Sequence, residues 1–144
     1  MSRRRQRVPT PPTPPVKLPT EAVPVGESTN SLTPVFQFLL CADSGKYAAH
    51  EMTRPGIKAL IACFKKAERQ TWQQIEATGG SKKTGLGYTR LKRNELPGAG
   101  QALSEDIRDR VFELRTGQKG RILCFRDDRV CHVLWFDPNH KVKG

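Results

Sequence analysis

Apolar residues in the last third of the chain form three short runs. "RVFELR", "GRILCFR" and "VCHVLWF" are each six or seven residues long. The segments "TGQK" and "DDR" separate them, and these lengths are typical of hairpin loops. The pattern predicts three antiparallel strands in a meander.

Earlier in the chain, Val35 to Ala42 is a nearly continuous apolar run that ends at Asp-Ser-Gly, which predicts a first, buried strand.

Between the first strand and the meander, apolar residues recur at the spacing of a helix. Five apolar residues at i, i+3, i+4, i+7 and i+10 make one stripe: Ile57, Leu60, Ile61, Phe64 and Ala67. "TWQQIEATGG" predicts a second, short helix that begins with a capping box of Thr71 and Gln74. The order β-α-α-β-β-β predicts an α+β domain of two layers over residues 35–144, in which a helical hairpin packs on one face of a small antiparallel sheet. The first strand is free to join the meander at an edge.

Residues 1–34 differ from the rest in composition. They contain eight of the eleven prolines, and proline is incompatible with the interior of a helix or of a central strand. We therefore expect a disordered Pro/Arg-rich tail before the domain. Its four arginines, Arg3, Arg4, Arg5 and Arg7, are suited to nonspecific phosphate contact, and a purely solubilising tail is an equal alternative.

The stretch from Gly79 to Gly100 contains glycine or proline every few residues, which predicts a mobile basic loop with room for a short strand near Tyr88 to Leu91. Cationic side chains and an aromatic ring suit contact with RNA phosphates and bases. The candidate nucleic-acid-binding residues, with one arginine from the meander, are Lys82, Lys83, Tyr88, Arg90, Lys92, Arg93 and Arg126.

Charge narrows the class of partner. Lys and Arg total 25 against 14 Asp and Glu, a net charge of +11, which favours an anionic partner such as nucleic acid.

The four cysteines form no C-x-x-C pair and the three histidines lie far apart, so the sequence predicts no metal site and no cofactor. The basic start lacks the apolar segment of a secretory signal and no run is long enough to span a membrane, so we expect a cytoplasmic protein without a membrane partner.

The segment "FELRTGQKGRILCFRDDRVCHVLWFDPNHKV", together with the order of elements, resembles the RelE/ParE superfamily of bacterial toxins, including the HigB and YoeB types. The likeness covers residues 35–144 in topology and residues 110–142 in motif. It implies an mRNA-cleaving endoribonuclease, on or off the ribosome, that an antitoxin protein restrains. Some members of the superfamily act on DNA gyrase instead, which leaves the target open.

RNA cleavage of this kind needs an activated ribose 2′-OH, a neutralised phosphorane and a protonated leaving oxygen. Arg115 and Arg121 lie on neighbouring strands of the meander, and guanidinium groups fork onto phosphate oxygens. His140 exchanges protons near neutrality and follows the last strand. We therefore expect Arg115, Arg121 and His140 to be catalytic.

Each candidate has a structural alternative. Arg115 and Arg121 are equally suited to ion pairs with Glu113 or Asp109. Asp137 either orients His140 or caps the Asp-Pro-Asn turn, and turn chemistry favours the cap. His132 is expected to be a buried, hydrogen-bonded imidazole, and the two tryptophans, Trp72 and Trp135, are expected in the core rather than as base-stacking platforms.

Two functions remain open at the level of sequence. The first is an RNA-binding endoribonuclease of a toxin-antitoxin system. The second is a non-catalytic, basic nucleic-acid-binding module, in which the "DPNH" corner is only structural. The loss of activity in a His140 variant that still binds RNA would distinguish the two.

Overall fold

The computed structural model describes residues 28–78, 85–117 and 119–142 of the chain. Its strands are β1 (Val35–Gln37), β2 (Thr89–Arg90), β3 (Val111–Arg115), β4 (Arg121–Asp127) and β5 (Val130–Asp137). Its α-helices are α1 (Arg54–Ala67), α2 (Trp72–Glu76) and α3 (Glu105–Arg108). Short 3₁₀ helices cover Ala49–Glu51, Arg93–Glu95 and Gly98–Ala102. The chain is an α+β protein.

The five strands form one mixed sheet in the order β1-β5-β4-β3-β2. Strands β3, β4 and β5 pair antiparallel in sequence order, so the predicted meander is confirmed. The prediction of a wholly antiparallel sheet is wrong, because β1 joins the edge parallel to β5. The backbone N–H of Val35 bonds to the carbonyl of Arg129 at 3.2 Å, which aligns the start of β1 with the start of β5.

Both faces of the sheet are covered, which differs from the predicted two layers. On one face, α1 and α2 contribute Leu60, Trp72 and Ile75 to a core with Phe112 and Leu114. On the other face, a second core contains residues of the strands, of the segment before α1 and of the chain between β2 and β3, including α3: Ala42, Tyr47, Leu91, Leu96, Leu103, Ile107, Val111, Leu123, Leu134 and Trp135. The continuous apolar runs explain the difference, because a strand without polar alternation must be covered on both sides.

Helix α1 buries a different stripe from the one expected. Leu60, Cys63 and Ala67 face the core, whereas Ile57 and Ile61 are 46% and 47% exposed. Cys63 is a small apolar side chain here, and counting it among the core positions rotates the buried face of the helix. Two isoleucines of the predicted stripe therefore lie at the surface.

The short helix α2 has the predicted capping box. The hydroxyl of Thr71 accepts a hydrogen bond from the N–H of Gln74, and the Gln74 side chain accepts one from the N–H of Thr71. Trp72 and Ile75 of this helix are fully buried. In the described parts of the chain, no helix has the length and apolar character that a membrane span requires.

Ordered structure begins before the predicted boundary at residue 35. The carbonyls of Asn30 and Leu32 accept hydrogen bonds from the N–H groups of Gln73 and Trp72, at 3.0 and 2.9 Å. Residues 28–34, which the proline-rich composition predicts as part of the tail, are thus attached to the first turn of α2. Residues 1–27 lie outside the described part of the chain.

The segment between α2 and β3 contains more structure than a mobile loop would. Strand β2 lies where a short strand was expected and pairs with β3. Leu91 is buried and its N–H bonds to the carbonyl of Val111. Leu96 and Leu103 come directly after the two 3₁₀ helices that follow, and both pack on the second core.

Candidate active site

The sheet register places three charged residues side by side at one end of the meander. Arg115 is opposite Arg121 in the β3–β4 pair, and Arg121 is opposite Asp137 in the β4–β5 pair. Directly opposite residues project from the same face of a sheet with Cβ atoms about 4.5–5.5 Å apart. The register that the sequence could not fix therefore brings the two candidate arginines together.

Arg115 extends along the sheet toward strand β2. Its N–H donates to the carbonyl of Leu86 at 2.7 Å, and its guanidinium lies over Gly87. A Cβ atom at Gly87 would come 2.8 Å from Cζ of Arg115, and Gly87 has φ +63°. Both observations require glycine at this position, so Gly87 provides the surface on which Arg115 rests.

Glu113 and His140 meet on the same face. Glu113 precedes Arg115 by two residues on β3, so the two side chains leave the strand on one side. Oε1 of Glu113 is 3.6 Å from Nε2 of His140. Glu113 is 4% exposed, whereas the His140 side chain is 31% exposed. A buried carboxylate thus lies beside a histidine that reaches the solvent.

The corner that carries His140 is built by Asp137. The Asp137 carboxylate is 1% exposed and accepts hydrogen bonds from the N–H groups of Lys141 and Val142, at 2.8 and 2.9 Å. The N–H of His140 donates to the carbonyl of Asp137 at 3.3 Å. These contacts favour the turn-capping interpretation of Asp137.

His140 itself has φ +56°, a left-handed backbone conformation that is uncommon for residues other than glycine and that histidine, like Asn and Asp, adopts more readily than most. The two bonds from the Asp137 side chain fix the chain just after it. The imidazole is therefore aimed at Glu113 by a constrained turn.

The charges of the cluster act on Arg121. Burial lowers the pKa of the Arg121 guanidinium, the carboxylate of Glu113 opposes this, the positive charge of Arg115 lowers it further, and Asp137 raises it. The group stays charged near neutrality in any environment of this kind. Its Nη1 donates to the carbonyls of Lys119 and Gly120, at 3.1 and 2.8 Å, which keeps the side chain at the end of the sheet.

The structure therefore brings together Arg115, Arg121 and His140, the three residues that the sequence proposed as catalytic. It adds Glu113, which sequence reasoning had treated only as an ion-pair partner. The available signal was a lone acidic residue within the apolar run "VFELR", because a carboxylate is almost never buried without a partner or a role.

Several of the candidate nucleic-acid-binding residues that the structure describes make contacts within the fold. Arg126 donates to Glu76 at 3.0 Å and to Thr29 at 2.8 Å, and its guanidinium lies 4.7 Å from the centre of the Trp72 ring. These contacts give Arg126 a structural role between the sheet, α2 and residues 28–34.

Tyr88, Arg90 and Arg93 also have partners within the fold. The Tyr88 ring packs 4.6 Å from that of Phe112. Arg90 bonds to the carbonyl of Asp109. Arg93 donates to Oδ2 of Asp109 at 2.8 Å, and this hydrogen bonding raises the pKa of Arg93 and lowers that of the carboxyl. Lys92 is exposed, and Lys82 and Lys83 lie outside the described residues.

The aromatic candidates are core residues, since Trp72 is fully buried and Trp135 is 4% exposed. His132 differs from the expected buried, hydrogen-bonded imidazole. Its ring is stacked on Phe125 at 4.6 Å and is partly exposed, and its Nδ1 has no hydrogen-bond partner among the described residues.

Comparison with known proteins identifies no relative, so inference about function rests on the cluster of Arg115, Arg121, Glu113 and His140. No protein-family model matches the chain, and no curated protein and no solved structure is significantly similar to it.

Proposed function

We propose that the chain is an endoribonuclease that cleaves single-stranded RNA, with a RelE/ParE-like toxin domain. One observation carries the proposal: two arginines, a histidine and a buried carboxylate share one end of one sheet face. Each of the three requirements of 2′-OH-dependent cleavage then has a residue of suitable chemistry.

Arg115 and Arg121 would hold the scissile phosphate. They are opposite each other in the β3–β4 register, so their side chains leave the sheet side by side. One phosphate across the strand ends would be held by Arg121 from β4 and by Arg115 from its position over Gly87 on the β2 side. Their charge is worth most where negative charge develops, which is on the non-bridging oxygens of the phosphorane. Burial of Arg121 strengthens this effect, because the dielectric constant is lower there.

His140 would move the proton. Its Nε2 is covered and directed at Glu113, so Nδ1 is the nitrogen left for substrate. In the first half of the step Nδ1 takes the proton of the 2′-OH while the 2′-oxygen forms a bond to phosphorus. In the second half the bond between phosphorus and the 5′-oxygen breaks, and the imidazolium returns the proton to that oxygen. The products are a 2′,3′-cyclic phosphate and a 5′-hydroxyl, and no co-reactant is needed.

Glu113 is a positioning residue in this scheme. Its carboxylate lies 3.6 Å from Nε2 and stabilises the imidazolium that forms during the step, as carboxylates paired with histidine do in other hydrolytic sites. Asp137 acts indirectly, because it fixes the turn from which His140 projects.

The toxin resemblance supplies the biological setting of the proposal. It supports an mRNA substrate, a cytoplasmic location and an antitoxin that restrains the enzyme. Leu39, Ile57 and Ile61 are apolar and between 46% and 87% exposed, which suits a surface that such a partner covers.

A growth experiment tests the proposal in cells. Induced expression of the wild type in a bacterial host should stop growth and deplete mRNA, and Arg121→Ala or His140→Asn should relieve both effects at equal protein level. Asparagine is chosen because it tolerates the positive φ of residue 140, so the corner is kept and only the proton-carrying group is lost.

The chain offers a matched control for the histidine and its acid. His50 and Glu51 form an exposed pair on the 3₁₀ helix Ala49–Glu51, with Nε2 and Oε2 3.4 Å apart. His50→Asn and Glu51→Gln should leave growth arrest intact. Unimpaired growth with the wild type would contradict the proposal and favour the non-catalytic binding module.

A further inference from the structure

A polar pocket lies in the segments that cover the second core. Its volume is about 290 Å³, and it is formed by the chain between β2 and α3 together with the last residue of α3. Arg93, Asn94 and Arg108 supply its polar groups. Leu96 and Pro97 supply apolar surface, and two glycines complete the lining. None of the described residues that line it is acidic, so the pocket suits a ligand that carries negative charge.

The acids of α3 and of its C-terminal cap are already paired with other arginines. Glu105 and Asp109 both form ion pairs with Arg93. Asp106 lies 3.1 Å from Arg110. The hydrogen bonds from Arg93 lower the pKa of the Asp109 carboxyl, so this acid stays ionised and holds Arg93 against α3. Arg93 is thus a wall of the pocket whose charge is largely compensated.

Arg108 differs from these arginines, because no described acid forms an ion pair with it. Its side chain is half-buried, and its Nε is covered and has no hydrogen-bond partner among the described residues. After the hydrogen bond from Arg93, the charge of Arg108 contributes to the lowered pKa of Asp109. Glu95 is engaged elsewhere, since it accepts a hydrogen bond from the N–H of Lys92 at 2.7 Å. A guanidinium partly withdrawn from water without a paired anion is stabilised by a ligand that brings one.

The backbone of the pocket rests on the second core. Gly100 is buried, and a Cβ atom there would lie 3.1 Å from Cβ of Leu96 and 3.5 Å from Cη2 of Trp135. The N–H of Gly100 donates to the carbonyl of Pro97 at 2.8 Å, which closes the turn between them. Nothing lies within 4 Å of a Cβ atom at Gly98. One side of the pocket is therefore packed and the side at Gly98 is open.

The size and the apolar side of the pocket indicate a ligand larger than a single anion. The volume is close to the lower end of the ~300–1,000 Å³ typical of ligand pockets. Arg108 can fork onto two phosphate oxygens. Leu96 and Pro97 offer apolar surface to a ring, and the amide of Asn94 can donate and accept hydrogen bonds at the edge of a base. One nucleotide combines the phosphate, the ring and the polar edge.

We propose that this pocket binds one nucleotide, with its phosphate on Arg108 and its base against Leu96 and Pro97. A free mononucleotide and the terminal nucleotide of a strand offer the same chemistry. The site does not depend on the proposed cleavage. Arg108 precedes the start of β3, whereas Arg115 is the last residue of that strand, and a five-residue strand rises by about 13 Å.

Titration of the full chain with mononucleotides in a calorimeter tests the pocket. The probes are AMP, GMP, CMP and UMP, and we expect saturable binding of at least one of them. The matching nucleoside lacks the phosphate and inorganic phosphate lacks the ring, so each should bind about tenfold more weakly or less. A folded chain that binds none of the four mononucleotides saturably would overturn the proposal.

A 2′-O-methyl RNA hexamer, which cannot be cleaved through its 2′ position, distinguishes the two sources of the nucleotide. Tighter binding of the 5′-phosphorylated hexamer than of the same hexamer with a 5′-hydroxyl identifies a strand end as the ligand. Equal binding of the two hexamers, with a mononucleotide bound, identifies the free nucleotide.

Arg108→Gln should weaken binding of the mononucleotide about tenfold, the loss expected for one charge-assisted hydrogen bond. Arg69→Gln is the matched control, because it removes the same charge from an exposed residue that follows α1. It should change the affinity less than about twofold, since exposed charges far from the ligand are screened by salt. Equal effects of the two substitutions would reduce the binding to nonspecific attraction and overturn the site.

A second pair of variants keeps the test valid if Arg108→Gln disturbs the fold, which its urea midpoint would show. Asn94→Asp changes one exposed lining residue to an acid of nearly the same size and should weaken binding about tenfold by repulsion of the phosphate. Gln73→Glu makes the same change of charge at an exposed position of α2 and should have little effect. Normal binding by Asn94→Asp would contradict the proposal.

Discussion

At the end of the meander, the contacts of a single residue differ from those that its local sequence suggests. Glu113 is one acidic letter in the run "VFELR", yet in the fold it is a buried carboxylate 3.6 Å from His140. Pattern alone suggested only an ion pair with an arginine. The contact with His140 depends on a turn 27 positions later in the chain, and local sequence does not report contacts at that separation.

Glu113→Gln should lower kcat/KM for RNA cleavage about 10²-fold or more, because the amide keeps the volume but no longer stabilises the imidazolium. Single-turnover cleavage of a labelled RNA measures this loss. RNA affinity should change little, since Glu113 does not contact the phosphate. Activity within threefold of the wild type would contradict the positioning role of Glu113.

Gly87→Ala should displace Arg115. The new Cβ atom would overlap the guanidinium, and φ +63° disfavours alanine. We expect cleavage to fall at least tenfold, measured as kcat/KM. The same substitution at Gly98, where nothing lies within 4 Å of a Cβ atom, is the control and should leave cleavage unchanged.

His132 should make stability depend on pH. Burial lowers its pKa; Asp127 opposes this, and Arg110 lowers it further. The unfolded chain, with a pKa of ~6.5, then binds the proton more readily than the folded chain, so stability is lost as pH falls below that value. His132→Gln should flatten the decline in urea midpoint between about pH 7 and pH 5, and the exposed His50→Gln should not. Parallel curves for wild type and His132→Gln would contradict the assignment.

Secondary-structure elements were predictable from the sequence where a local pattern determines them. The meander and the capping box of α2 follow from apolar runs, hairpin-length loops and the Thr71–Gln74 pair, and all are present. The parallel direction of β1 depends on contacts between Val35 and Arg129, which are distant in sequence. The second core was not predicted for a similar reason. Mostly irregular segments cover it, and such segments have no regular hydrophobic spacing in the sequence.

The candidate site was likewise predictable only in part. Arg115, Arg121 and His140 could be selected by residue type and by strand ends, but their proximity rests on the register of β3, β4 and β5. A shift of one residue would move every side chain to the opposite face. A bulge between Leu123 and Cys124 further breaks the simple alternation on β4 and β5, and sequence gives no sign of it.

The segment 28–34 should behave as part of the domain. Its carbonyls pair with the first N–H groups of α2, and Thr33 accepts a hydrogen bond from Arg129 at 3.1 Å. A chain that starts at residue 35 should unfold with a free energy lower by about 2–4 kcal/mol than one that starts at residue 28, because buried donors lose their partners. Urea denaturation of the two chains measures the difference. Equal stability would return the boundary to residue 35.

Charge is the property of the whole molecule that bears most directly on function. The net charge of +11 attracts polyanions such as nucleic acids at long range without regard to sequence. Several arginines outside the site are held by acids or carbonyls, as Arg93 is by Asp109 and Arg126 by Glu76. We therefore expect weak, salt-sensitive binding over the surface and specific contact at the end of the meander.

Analysis of the ends that the purified protein leaves on a defined single-stranded RNA tests the endoribonuclease directly. We expect a 2′,3′-cyclic phosphate and a 5′-hydroxyl, with cleavage lost in His140→Asn and Glu113→Gln and kept in His50→Asn and Glu51→Gln. Intact RNA after incubation with a folded wild type that binds it would contradict the endoribonuclease and leave a basic nucleic-acid-binding module.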